Sequence, residues 1–428
     1  MTATATLAPE VTPEQRARAK QAVIASSVGN ALEWFDIIVY ASFALVISKL
    51  FFPTTEGITG LLLTFGTFAL SYLIRPLGAI VLGSYGDRAG RKKALTVTIM
   101  LMTLGTGMMA FAPTAGTIGT WAGLIILISR LLQGFSAGGE FGTSTAFLIE
   151  HALDRKAFYG SWQAATQGAS MFLASIFGFG LNTFLSQDSL ESWGWRVPFF
   201  CGMLIGPVGL YIRTKMDETA EFVEAEVVSS PVAITFTRHL DRVLSAATIV
   251  GFASISVYLI IYMPTFAVKN LDLPGYAGYL GGIISGVVTL AGAPYVGKLA
   301  DRVGCVRVMT VTAAVALVLG WPLFKILVGN PGVLTLTLVQ IVLGILLAFY
   351  FGPLPALLAE MFPTNIRSTG MSVSYNIGVT VFGGFAPLIL TWLIASTGSL
   401  LAPSYYYVAV ATVSVLGLTV AQTRLGHR

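Results

Sequence analysis

Apolar residues in this chain come in long unbroken runs. They do not alternate as in a strand, nor fall on one stripe as in a helix that faces water. A helix needs about 20 apolar residues to cross the hydrocarbon core of a bilayer. Twelve stretches reach that length: 21–50, 58–85, 94–112, 119–149, 157–186, 195–213, 242–268, 276–297, 307–328, 333–359, 366–395 and 403–423. Inside lipid only helices and closed barrels satisfy every backbone polar group, and these runs are too long and too continuously apolar for barrel strands. The pattern predicts an all-α membrane protein of twelve transmembrane helices.

Composition sharpens the picture. Of 428 residues, 55% are hydrophobic and 11% are charged, with a mean hydropathy of +0.79. A soluble protein carries about 25% charged residues, so a soluble enzyme, a disordered chain and a nucleic-acid binder are excluded. The 46 glycines suit helices packed closely in a membrane. Cys201 and Cys305 stand far apart in sequence and exclude a disulfide framework. The first twenty residues are polar and lack the short apolar segment of a signal peptide.

The net charge of +5 reflects orientation. With the N-terminus inside, 19 of the 25 Lys and Arg residues fall in inner loops and tails. Lys49, Arg196, Lys269 and Lys325 fall outside, and Arg75 and Arg130 lie within spans. The bias predicts both termini in the cytoplasm. The longest connection, 214–241, is acidic and separates an N-terminal half (21–213) from a C-terminal half (242–428). The halves repeat: GSYGDRAGRKK (83–93) aligns with GKLADRVGCVR (297–307), each between the second and third spans of its half. Two six-helix halves about a pseudo-two-fold axis are one known transporter plan, with the cargo site near the midplane between them.

Five ordered motifs add a resemblance. The loop GSYGDRAGRKK resembles the signature between helices 2 and 3 of the major facilitator superfamily, and RLLQGFSAGGEFG (130–142) resembles its helix-4 motif. GNALEWFDIIVYASFA (29–44), LIRPLGAIVLGSYGDRAGRKK (73–93), GTWAGLIILISRLLQGFSAGGE (119–140), SWGWRVPFF (192–200) and MDETAEF (216–222) look like its metabolite:proton symporter branch. That branch includes importers of citrate, 2-oxoglutarate, shikimate and proline/betaine. The resemblance covers nearly the whole chain and implies the major facilitator fold, proton coupling and a multi-pass place in the cell inner membrane.

The residues themselves point to the same chemistry. A charge at the membrane midplane costs at least about 2.5–3.5 kcal/mol on insertion scales, so it needs a partner or a task. Five stand out, all in the N-terminal half: Glu33, Asp36, Arg75, Arg130 and Glu140. Glu33 and Asp36 are three apart and share a helix face. Without a cation nearby, two carboxylates so placed cannot both stay ionised, which is the property of a proton site; the alternative is a structural ion-pair network with Arg75 or Arg130. Asp36 lies nearer the middle of the first span and is the stronger coupling candidate, with Glu33 and Glu140 as further proton sites. By resemblance, the helix-4 arginine Arg130 is linked to proton coupling or substrate charge. It also suits a structural clamp on helix 1. Arg75 suits an anionic cargo, or neutralises Asp36. The three histidines fall near the cytoplasmic surface, so carboxylates carry any proton.

The C-terminal half has almost no buried charge. It offers Tyr258, Tyr262, Tyr375 and Asn376, which with Gln163 and Gln167 on span 5 are candidates to hydrogen-bond a polar substrate or to pack helices together. By resemblance, Asp87, Arg88 and Arg91 form a cytoplasmic gate, with Asp301 and Arg302 in a second copy where Cys305 replaces the third arginine. No metal site, cofactor motif or ATP-binding loop is expected, and the proton is the coupling ion. The expectation is a transporter, not an enzyme. It imports a small organic acid, a di- or tricarboxylate such as citrate or 2-oxoglutarate, with protons, and acts as a monomer. An osmolyte or a shikimate-like acid is the alternative cargo. A receptor would need a soluble signalling domain, and a channel has no use for duplicated latch loops.

Overall fold

The computed structural model describes residues 13–54, 57–89, 91–150, 155–214, 231–363, 366–423 and 426. The described residues are helical in almost every segment, with no strand among them. In chain order, α1 comprises Pro13–Ser42 and Ala44–Phe51; α2, Gly57–Leu73 and Arg75–Ala89; α3, Arg91–Phe111; α4, Trp121–Gly138 and Glu140–Glu150; α5, Lys156–Gly160 and Trp162–Phe184; α6, Val197–Thr214. Then follow α7, Leu240–Asn270; α8, Ala277–Val303; α9, Cys305–Gly329; α10, Val333–Phe351 and Leu354–Met361; α11, Arg367–Val379, Thr380–Gly384 and Ala386–Thr397; and α12, Ala402–Thr423. Among the described residues nine spans pass on length and hydropathy alone, and the two pieces of α1 make a tenth across a 67° bend. The apolar stretch Thr96–Phe111 of α3 and the helix α6 take the two remaining places in order. Residues 215–230, most of the expected linker, lie outside the described residues.

Sequence alone reads each span as one continuous helix, and several are broken. The bend in α1 falls at Phe43, where no Pro or Gly occurs. Its cause is tertiary: the Tyr279 hydroxyl of α8 donates to the Ser42 carbonyl at 2.8 Å, a side chain inserted at the helical ladder. In α2, Pro76 lacks the N–H that would bond the Tyr72 carbonyl. Thr380 of α11 supplies a donor there at 3.1 Å. Thr380 itself opens a π-helical turn, Thr380–Gly384, a deviation frequent at functional positions.

Glycine sets the closest helix approaches. Along α5 and α8 the backbones touch: a Cβ on Gly286 would lie 2.5 Å from the Phe172 nitrogen and 2.8 Å from the Gly168 carbonyl oxygen. Towards the cytoplasm a Cβ on Gly297 would lie 2.6 Å from the Ala157 carbonyl oxygen. At the other end the Tyr279 ring covers Gly178. Apolar side chains such as Phe111, Trp121, Tyr211 and Leu334 face outwards, as a lipid solvent requires.

Candidate transport site

Glu33 and Asp36 of α1 each have their own arginine. Asp36 accepts from Arg130 Nη2 at 2.8 Å, and Glu33 pairs with Arg75 Nη1 at 3.2 Å. All four side chains are at least nine-tenths buried. The expectation that Arg75 neutralises Asp36 is therefore corrected: Arg75 lies at the height of Glu33, one turn nearer the cytoplasm on α1. Breaking such a pair by removing one partner costs about 3–5 kcal/mol, so neither carboxylate leaves its arginine without a substitute cation or a proton.

The Asp36 pair is enclosed by its own half. The Thr106 hydroxyl sits 3.0 Å from Asp36 Oδ1 and accepts from Gln133 Nε2 at 3.1 Å. That hydroxyl has a second acceptor, the Met102 carbonyl, also at 3.0 Å. With one proton to give, the Thr106 hydroxyl donates either to the carboxylate or to the backbone. The Arg130 guanidinium lies over the Tyr40 ring, 4.1 Å from its centroid. The Tyr40 hydroxyl bonds Thr67 at 2.6 Å and the Thr64 carbonyl at 3.0 Å.

The Glu33 pair borders the other half. Arg75 lies over the Tyr72 ring at 4.0 Å, and the Tyr72 hydroxyl bonds the Tyr258 hydroxyl of α7. Both rings press on the π turn of α11, Tyr72 on Gly384 and Tyr258 on Gly383. Trp34 and Phe68 complete an aromatic cluster, with ring centroids 6.3 Å and 5.9 Å from Tyr258. Tyr375 stacks flat on Phe141 and lies within electrostatic reach of Glu33 and Arg75.

The other expected polar residues divide into engaged and vacant. Tyr262 accepts from Thr391 at 3.2 Å. Asn376 donates to the Gly138 and Ser372 carbonyls at 3.0 and 2.9 Å. Both hold helices together. Gln163 donates to Ser144 at 2.8 Å, but its Oε1 has no partner. Gln167 is 1% exposed with both amide atoms unpartnered. An orphaned buried polar group costs about 1–3 kcal/mol, so these two amides retain unused hydrogen-bonding capacity. Glu140 is buried on α4. Among the described residues, no group of three metal-ligating side chains is present.

Contacts cross between the halves at both ends. At the cytoplasmic end Asp301 accepts from the backbone N–H groups of Ala157 and Phe158 at 2.8 and 3.1 Å. A carboxylate there complements the positive end of the helix dipole and ties α8 to α5. Arg302 is exposed. The side chains of Asp87, Arg88 and Arg91 lie outside the described residues. At the outer end Tyr279 joins α8 to α1. Tyr279→Phe removes a donor of about 1 kcal/mol. In a background without Cys201 and Cys305, a cysteine at Phe43 is then expected to react about fivefold faster with an impermeant maleimide. An unchanged rate would show that this hydroxyl latches nothing.

Sequence reasoning missed Tyr40, Tyr72, Thr106, Gln133 and Tyr279. A tyrosine or threonine in an apolar helix reads as packing, although Tyr72 beside Arg75 and Pro76 was a signal.

Residues 24–387 match the Major Facilitator Superfamily. The chain belongs to that superfamily. A citrate-proton symporter of Klebsiella pneumoniae is 37% identical over 389 residues, covering 90% of this chain and 88% of the relative. One of Salmonella typhi is 33% identical, covering 95% and 94%. A proline/betaine transporter of Salmonella typhimurium is 32% identical, covering 97% and 86%. The crystal structure of a D-xylose-proton symporter superposes with a TM-score of 0.75 at 16% identity, covering 94% of this chain and 97% of that one. At that identity the likeness concerns the fold. This major facilitator is a multi-pass membrane transporter, not an enzyme.

Proposed function

We propose that this protein imports a small carboxylate together with protons by alternating access. Asp36 is the proton site and Arg75 the anchor for the cargo's carboxylate. The observation that carries the reading is the unequal placement of the two buried ion pairs. Among the described residues, the hydrogen-bond and ring partners of the Asp36–Arg130 pair, Thr106 and Tyr40, belong to its own half, so a proton can reside there apart from the cargo. The Arg75–Glu33 pair meets α7 and α11, where a cargo between the halves would lie. The vacant amides of Gln163 and Gln167 add hydrogen bonds to a polar cargo, and Tyr258, Tyr262, Tyr375 and Asn376 form the facing wall. Citrate or a similar di- or tricarboxylate is the favoured cargo, in line with the citrate-proton symporters among the relatives. Asp301 with Arg302, and Asp87 with Arg88 and Arg91, serve as cytoplasmic gates. The protein works as a monomer in the cell inner membrane and needs no cofactor beyond the proton.

One observation favours a second cargo. Trp34, Phe68, Tyr72 and Tyr258 form an aromatic group beside Arg75, and aromatic faces suit quaternary ammonium ions. Betaine offers such a group and a carboxylate on one small molecule. Uptake of radiolabelled citrate, 2-oxoglutarate and betaine into proteoliposomes under an inward proton gradient separates the two. Saturable carboxylate uptake that collapses with a protonophore supports the first. Betaine uptake alone establishes the second, and uptake of none of the three overturns both.

A further inference from the structure

The lipid-facing side of the N-terminal half carries a groove apart from every residue assigned to transport. It runs between α3 and α6, holds about 620 Å³ and is lined by apolar side chains, among them Met100, Leu104, Met203 and Pro207. Ligand cavities usually measure about 300–1,000 Å³. We propose that this groove seats one acyl chain of an anionic phospholipid from the cytoplasmic leaflet, with its phosphate held by cations at the inner ends of the two helices.

The groove exists because of side chains that are missing. Gly206 and Gly209 bring α6 hard against α3, where a Cβ would collide with Thr103 and Ile99. Beside that crossing Gly107 forms part of the groove wall, and a Cβ on it would meet the Met203 sulfur at an ordinary 3.5 Å. A larger side chain at Gly107 would therefore occupy the groove. The other half shows this arrangement. The repeat pairs Gly83 with Gly297, and the same offset pairs Gly107 with Trp321 of α9. An indole stands in the C-terminal half where the N-terminal half leaves space. At the outer end of α3 the Phe111 ring lies edge-to-face on Phe200, with centroids 5.1 Å apart.

Length and charge select the occupant. Lys93 is exposed in the first turn of α3. It precedes Gly107 by 14 residues, about 21 Å along a helix. That is half of a bilayer about 40–45 Å thick with its headgroups. A lipid whose phosphate lies beside Lys93 thus reaches Gly107 with the end of its chain. Arg91 and Lys92 share that first turn, which holds no acidic residue, and Arg213 falls in the last turn of α6. Basic clusters between transmembrane helices on the cytoplasmic side suit anionic headgroups, and the positive end of the α3 dipole adds to the attraction. Met100, Met108 and Met203 are adaptable side chains that fit a flexible chain. A second copy docked symmetrically on this groove would instead set the two basic clusters against each other.

A lipid so held braces α3 against α6. The stability of the N-terminal half then depends on the anionic lipid of the inner leaflet.

The test uses the full-length protein, stripped of lipid in detergent. The probes are phosphatidylglycerol and phosphatidylcholine with identical palmitoyl and oleoyl chains. Native mass spectrometry reads lipid bound against lipid added. A cation near an anionic headgroup is worth about fivefold in affinity. Wild type should therefore bind its first phosphatidylglycerol at least about fivefold more tightly than phosphatidylcholine. Lys93→Gln combined with Arg213→Gln should erase that preference and leave phosphatidylcholine binding unchanged. Gly107→Trp should lose the first-bound lipid of either kind. Equal affinity of wild type for the two lipids overturns the proposal, as does a Gly107→Trp variant that binds phosphatidylglycerol like wild type. A wild-type dimer that Gly107→Trp dissociates gives the groove to a second copy and overturns it as well. If Gly107→Trp does not fold, phosphatidylglycerol with a diazirine at the chain end decides on wild type. Label concentrated on residues 100–111 and 203–210 supports the seat, and label spread evenly over the lipid-facing helices sinks it.

Discussion

Asp36→Asn is expected to reduce gradient-driven accumulation to the level of empty liposomes while leaving exchange of labelled for unlabelled cargo in place. Asparagine keeps the shape of the side chain and still accepts from Thr106, which lies 3.0 Å from Asp36. Its carbonyl can also accept from Arg130. What it cannot do is take or release a proton. Exchange needs only that the loaded carrier reorient, whereas accumulation needs a proton to travel with the cargo. The substitution leaves the Arg130 charge without a counter-ion, at a cost bounded by about 3–5 kcal/mol. The Tyr40 face 4.1 Å away returns part of that through cation–π attraction. The variant should therefore melt at a lower temperature yet elute as a folded protein. Full accumulation by the variant would remove Asp36 from the coupling step. Loss of exchange together with accumulation would mark the residue as structural.

The second large effect comes from a residue with no chemistry at all. Gly286→Ala is expected to destabilise the protein by about 1–3 kcal/mol and to abolish transport. The new methyl would meet the Phe172 nitrogen and the Gly168 carbonyl oxygen at 2.5 and 2.8 Å. Those are backbone atoms, which move only if α5 and α8 separate along their length. Gly292, two turns on in the same helix, is the control. Its nearest neighbour is the Ala348 methyl at 3.5 Å, ordinary contact, so Gly292→Ala should be close to neutral. Melting temperature and initial uptake rate, measured on both, decide the matter. Equal behaviour of the two variants would show that the helices adjust freely and that their approach is incidental.

The spans were legible in the sequence because lipid leaves few options for an apolar run of that length. The buried charges were legible for the same reason: Glu33, Asp36, Arg75, Arg130 and Glu140 stand out against an apolar background. Their pairing was not. Spacing places Glu33 and Asp36 on one face of α1, but the heights of Arg75 and Arg130 depend on how α2 and α4 are set against α1. Close backbone contacts fix that setting, with Gly134 against the Ser71 carbonyl and Gly138 against the Arg75 carbonyl. No local pattern encodes it. The breaks were also hidden. Pro76 gives a reason for the one in α2, whereas the bend at Phe43 depends on a hydroxyl 237 residues away in sequence.

The two edges along which the halves meet are built from different materials. Along α5 and α8, backbone lies on backbone through Gly168, Gly286 and Gly297, and little there can rearrange without pulling whole helices apart. Along α2, α7 and α11 the contact is made by side chains: the paired Tyr72 and Tyr258 hydroxyls, their rings against a π turn, and the Thr380 hydroxyl on the Tyr72 carbonyl. Hydroxyls part and rejoin with water as the substitute partner. A door has one edge that bears the weight and one that swings, and Arg75, the proposed anchor for the cargo, stands at the edge built from side chains. Cargo preference can therefore drift by exchange of the aromatic residues around Tyr72 and Tyr258 while the bearing edge stays fixed. Relatives with one frame and different cargoes are what such a division of labour produces.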